Sequence, residues 1–204
     1  MTRPLPVLTA ILLVFLHAAP ARAAETVAGA ADARAPVDQL YSALLEVMQG
    51  GDQLGYQGRY ARLDPVIRQV YDLPFMSAKA LGRYWKELTE PDRERWTSTF
   101  TRMIVSTYAD RFDEYSGQRF EVMDVEPSVQ ETFMVRTRIL PADDEPVELD
   151  YRLHSVDGSW RIVDVFMNGT VSELALRRSE YSSVFKREGF ESLLDSLEEK
   201  IASR

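Results

Sequence analysis

Apolar residues in this chain recur every three or four positions as far as Tyr115, every second position from Phe120 to Met167, and every three or four again from Leu174 to Ile201. A stripe with a period near 3.6 is buried by forming a helix, and one with a period of two by forming a strand. The order helices, strands, helices therefore follows before any side-chain chemistry is considered. Val37, Leu40, Tyr41, Leu44, Val47 and Met48 predict a helix ended by Gly50-Gly51, and Asp64-Pro65 offers an N-cap and a first-turn proline for a second. Beyond Leu73-Pro74 a short helix carries Met76, Ala80, Leu81, Tyr84 and Trp85. Thr89 then caps the longest helix, with Pro91 in its first turn, a stripe of Trp96, Phe100, Met103, Ile104, Tyr108, Phe112 and Tyr115, and Gly117 as its stop.

Four strands are predicted next: one from Phe120 and Val122, one from Phe133, Val135, Thr137 and Ile139, one from Val147, Leu149, Tyr151 and Leu153, and a last one at residues 160–167, WRIVDVFM. Asp157-Gly158 is a hairpin turn between the last two, and short connections favour an antiparallel meander. The last strand has apolar residues on both parities, so its inner face is not assignable from pattern. The expected fold class is α+β, a curved sheet with helices packed on one face.

Composition bears on compartment. Arg3, an uncharged apolar run over residues 5–18 and Ala21-Arg22-Ala23 have the layout of a secretory signal peptide, residues 1–23. Residues 24–36, AETVAGAADARAP, are small and unpatterned and read as a flexible linker ahead of a single domain over residues 37–204. Cleavage after Ala23 would leave 22 basic against 32 acidic residues, a formal charge of −10, which argues against nucleic acid as a partner. The chain has no cysteine, so an exported product relies on its core and not on disulfides.

Site chemistry narrows by elimination. Beyond the signal peptide the one histidine is His154, at a strand end, which leaves little for an N/S-liganded metal or a histidine-activated nucleophile; no cofactor is expected. Asp143-Asp144-Glu145, between two prolines, reads as a solvated hairpin tip before a calcium site, and Asn168-Gly169-Thr170 as a turn before a glycosylation sequon. Arg177-Arg178 offers either a solvated helix face or a contact for a phosphate or an acidic partner. The aromatic stripe of the longest helix faces strands that are themselves rich in Phe, Val, Leu, Tyr and Ile. Such a surface is a dry core or the wall of an apolar cavity, and periodicity does not separate them.

VYDLPFMSAKALGRYWKELTEPDRERWTSTFTRMIVSTYADRF, residues 70–112, resembles the MlaC-like (toluene-tolerance) family of periplasmic lipid carriers. In that family a D-F-x-x-M-x-x-x-A-L-G-x-x-W run, a helix-capping L-[ST]-x-x-x-R and an F-x-x-x-[FL]-x-x-x-Y stripe follow in this order. The likeness continues through Gly158-x-Trp160-Arg161-Ile162-Val163-Asp164-Val165 and through Arg178, Tyr181, Gly189-Phe190, Leu193-Leu194 and Leu197. Gly169-Thr170-Val171-Ser172-Glu173-Leu174 carries one residue more than the G-[VI]-S usual in phospholipid-carrying members and looks more like the branch associated with hopanoid genes.

The resemblance implies an NTF2-like cup around a deep apolar pocket. It also implies a phospholipid or hopanoid ligand, an inner-membrane ABC transporter with an MCE-domain subunit, and an outer-membrane lipid-transfer complex as partners. A neutral hopanoid suits the acidic composition better than an anionic phospholipid. Two acyl chains of roughly 30 methylenes would gain about 24 kcal/mol gross on burial, so release would need a docked partner. Candidate lining residues are Leu81, Trp85, Phe100, Met103, Ile104, Tyr108, Phe112, Phe133, Val135, Leu149, Tyr151 and Val165, with the role of keeping water from a lipid tail. Two other readings stand beside the carrier: an interaction module with a solid core, and an enzyme using Asp164 and Tyr151 for general-acid chemistry, of which a raised Asp164 pKa would be the sign.

Overall fold

The structure of the chain, a computed structural model, describes residues 19–142 and 144–204. Most of the expected signal peptide, residues 1–18, lies outside the described residues, as does Asp143 of the acidic tip. Helix α1 spans Ala19–Val70 but leaves helical geometry at Gly51 (φ 41°) and Gly55 (φ 56°), where positive φ favours glycine. The first helix thus ends where the Gly50-Gly51 pair predicts. Its continuation starts before Asp64-Pro65, and that pair is a correction: Asp64 is no cap but accepts from Arg68 one turn on. Residues 24–36, expected as a flexible linker, lie within the same helix, and Ala33 is fully buried; alanine-rich sequence is a good helix former once one face finds a partner.

Helix α2, Leu73–Leu81, starts at Asp72, whose side chain accepts from the Phe75 N–H. Tyr84 and Trp85 sit beyond it, on a 3-10 turn over Gly82–Glu87. Helix α3, Glu90–Arg111, has the expected Thr89 cap, bonded to the Asp92 N–H, and ends before Phe112 and Tyr115. The sheet is an antiparallel meander in the order β1 (Arg119–Ser128), β2 (Thr132–Leu140), β3 (Val147–Val156), β4 (Ser159–Met167) and β5 (Val171–Ser172). The fifth strand, two residues long, is an addition to the four expected. Asp157 and Gly158 both have positive φ, as the two-residue β3–β4 hairpin requires. Helix α4, Glu173–Ala202, breaks at Gly189 (φ 87°), which is where the sequence divides it.

A bulge explains the ambiguous last strand. Tyr151 pairs Val165 and Arg152 pairs Asp164, yet Leu153 pairs Ile162, so Val163 is an extra residue on β4. Parity flips across it and Ile162, Val165 and Met167 all reach the inner face. Helix α1 lies on β4, β1 and β2, while α3 makes its close backbone approaches to the other helices. Trp96 and Phe100, both fully buried, centre the helical core; Trp96 donates from its indole to the Ser77 carbonyl at 2.9 Å and meets Tyr181 edge-on.

Candidate functional site

Because α3 stands off the sheet, a cavity of about 210 Å³ remains between its C-terminal half, the start of β3, the end of β4 and the start of α4. Ile104, Tyr108 and Phe112 project into it at helical spacing, Leu149 and Val147 from β3, Val165 and Met167 from β4. Tyr71, Met76 and Leu174 complete the apolar wall. Five of the twelve residues expected to line a pocket do so: Ile104, Tyr108, Phe112, Leu149 and Val165. Leu81, Phe100, Met103, Val135 and Tyr151 are instead packed in the core. Trp85 lies half-buried under the Arg93 guanidinium, 5.3 Å from its ring centroid. Phe133 is buried at the sheet's end, edge-on to Trp160 at 5.0 Å. Of the residues missed, Val147 and Met167 share parity with Leu149 and Val165 and were legible; Tyr71, Met76 and Leu174 come from other elements and carry no local signal.

The hydroxyls on the apolar wall and in the core beside it are satisfied in pairs. Tyr71 and Tyr108 share a hydroxyl–hydroxyl bond, and the Tyr41 hydroxyl bonds that of Thr137. Burial pushes Tyr41 up to about 12 and holds Tyr71, Tyr108 and Tyr151 above the ordinary phenol value, so at neutral pH all four are uncharged hydroxyls. Hydroxyls that satisfy one another let a large aromatic floor be buried at little cost.

The rim is charged. Arg111 is exposed and Arg177 half-buried at the mouth, and both guanidinium charges act on the Tyr108 hydroxyl. Burial works against the charge on Arg177, but Tyr181 and Glu173 outweigh it and its pKa is raised. Arg177 Nη1 donates to the Tyr181 hydroxyl at 3.1 Å and Nη2 lies 3.7 Å from Glu173. Sequence left open whether Arg177-Arg178 is a solvated face; Arg177 is turned inward. Two guanidinium groups against one carboxylate at the mouth also remove the argument from overall acidity for a neutral ligand.

The remaining candidates have structural employment. Asp164 is buried on the face of β4 away from Tyr151, so the pair suggested for acid catalysis is split across the sheet. Burial raises the Asp164 pKa, while its oxygens accept from Ser172 Oγ at 2.6 Å, Val165 N at 2.8 Å and Leu174 N at 3.1 Å. That is the work of a helix anchor at the start of α4. His154 Nε2 lies 2.8 Å from Asp72, tying β3 to the α2 cap. Among the described residues no group of three or more His, Cys, Asp or Glu could hold a metal ion, and no helix is long and apolar enough to cross a membrane.

A family model described as MlaC protein matches residues 38–199, most of the chain and every wall of the cavity. The chain belongs to the MlaC family. A curated MlaC relative, the intermembrane phospholipid transport system binding protein of Haemophilus influenzae, is 24% identical over 132 residues, 63% of this chain. The match spans about three fifths (61%) of that relative's length. A solved phospholipid-binding protein from Ralstonia solanacearum, in complex with a phospholipid, superposes with a TM-score of 0.73 at 23% identity. That alignment covers 84% of this MlaC chain and 98% of the other and establishes the shared fold.

Proposed function

We propose that this protein is a periplasmic lipid carrier that holds acyl tails in the cavity between α3, β3, β4 and α4. The observation that carries the reading is an apolar wall carrying uncharged tyrosine hydroxyls, beside the guanidinium groups of Arg111 and Arg177. A tail needs the first arrangement and a charged head group the second. The family relationship and the phospholipid-binding relatives support the same reading. Arg111 and Arg177 favour an anionic phospholipid over a neutral hopanoid.

Size constrains mechanism. At about 30 Å³ for a water-sized group, 210 Å³ has room for roughly seven methylenes, worth about 6 kcal/mol gross. A two-chain lipid needs several times that room, so loading must draw α3 and α4 further from the sheet. Such opening would stretch the Tyr71–Tyr108 contact on the cavity wall. Release is the reverse, closure of the walls by their own packing. The carrier would be exported by cleavage after residue 23, fold as one domain over residues 37–204, and exchange lipid with an inner-membrane ABC transporter bearing an MCE-domain subunit and with an outer-membrane complex. The protein, purified without detergent from its exporting compartment, is expected to show a stoichiometric phospholipid adduct by native mass spectrometry. A triterpenoid adduct would reassign the ligand. A clean apo mass with no uptake from vesicles would leave a ligand-free interaction module.

A further inference from the structure

A different side of α4 borders a second concave surface. Two adjoining hollows, about 520 Å³ and about 410 Å³, share Ala175 and Arg178 and follow the helix from Leu174 to Lys186. Their walls carry Lys79 of α2, Arg83 of the 3-10 turn, Arg152 of β3, and Arg178 and Lys186 of α4. None of these five makes an ion pair among the described residues, whereas Arg93, Arg95, Arg102 and Arg177 on neighbouring helical turns are each paired. The nearby carboxylates are engaged elsewhere. Asp164 feels the Arg152 charge but makes no ion pair with it and accepts from Ser172 and Leu174, Asp72 accepts from Phe75 and His154, and only the charge of Glu87 reaches Arg83. Arg152 Nε is buried with no hydrogen-bond partner. In a chain with 32 acidic against 24 basic residues, unpaired cations gathered in one groove call for negative charge from outside.

The cations are also held in place. Gly82 has φ +60°, and a Cβ there would stand 2.6 Å from Arg178 Nε, so the guanidinium rests on bare backbone. Arg83 Nη2 donates to the Tyr84 hydroxyl at 2.8 Å, and the Tyr84 ring stacks on Phe185 at 4.5 Å. Such pre-ordering lowers the entropic cost of binding. Twelve helical steps from Leu174 to Lys186 span about 18 Å, the reach of five or six residues of extended chain. A flat bilayer does not enter a hollow of this shape, and a protruding polypeptide does.

The geometry points to a docking groove, between α2, the 3-10 turn and α4, for an extended carboxylate-bearing segment of a partner protein. It does not depend on what the apolar cavity holds. The test is fluorescence anisotropy of the full-length protein with a labelled octapeptide of alternating Glu and Ser, beside a matched Gln/Ser peptide. Preferential binding of the acidic peptide is expected, weakened at least tenfold by raising NaCl from about 50 to about 300 mM. Arg83→Glu/Arg178→Glu should weaken it at least tenfold too, and the exposed pair Lys79→Glu/Lys186→Glu severalfold, with circular dichroism and lipid content unchanged. Equal binding of both peptides, binding indifferent to the charge reversals, or flotation with phosphatidylglycerol vesicles in the absence of peptide binding would overturn the proposal.

Discussion

Val165→Trp tests the carrier reading most directly. Val165 faces the cavity from β4, opposite Tyr151 in register, and the new side chain brings about seven more non-hydrogen atoms into space that holds about seven methylene-sized groups. At about 0.8 kcal/mol for each methylene displaced, a lipid tail loses roughly 6 kcal/mol of burial, about four powers of ten in affinity. The fold should not suffer. Filling a void commonly adds about 0.5–2 kcal/mol, whereas forcing the same atoms into a packed core costs about 1–3 kcal/mol or more. The assay pairs native mass spectrometry of wild type and variant, purified in parallel without detergent, with thermal melts followed by circular dichroism. Loss of the adduct with an unchanged or higher melting temperature is the expected result. A wild-type lipid stoichiometry would refute the reasoning about where tails lie, and a fall of many degrees would mean that the space is not available.

Phe100→Ala addresses the residues placed in the core: this fully buried side chain should cost about 3–5 kcal/mol in urea unfolding while the folded fraction keeps its lipid. Tyr41→Phe removes the hydroxyl bonded to Thr137 and should cost about 1 kcal/mol near neutral pH. The same residue predicts an alkaline limit. Its folded pKa of about 12 exceeds the unfolded value of 10.0, so its contribution is complete below pH 10 and lost as pH rises through 12. The decline over that window is roughly 3 kcal/mol, because ionising the buried phenol penalises the native state, and unfolding titrations of Tyr41→Phe should show a shallower decline there than wild type. Arg177→Met keeps the apolar stem and removes the charge at the mouth; the extracted lipid should shift from anionic toward neutral species, and an unchanged lipid profile would remove Arg177 from head-group recognition.

The order of helices and strands, the antiparallel pairing, the Thr89 cap and the breaks at Gly51 and Gly189 were all legible, because each depends on residues close together in sequence. So were the contributions of Ile104 and Tyr108 on α3 and of Phe112 at its C-cap, one turn apart, and of Leu149 and Val165 in their strands. The division of one apolar stripe into core and cavity was not. Phe100 and Met103 obey the same burial rule as Ile104 and Tyr108, and what separates them is which segments from elsewhere in the chain pack against each turn of α3. The β4 face was hidden for a related reason: one extra residue, Val163, inverts the parity on which strand reading rests.

Charge shows the same boundary. Sequence established how many acidic and basic groups the chain carries, and with them its acidity and its lack of a cysteine framework. It did not establish that Arg177 bends inward to Tyr181 while Arg178, its neighbour, rests on Gly82 in an open groove. Local pattern decides which elements form, since propensity and periodicity act over a few residues. Which side chains meet across those elements is decided by packing and pairing between segments far apart in the chain, and both the cavity and the groove are made there.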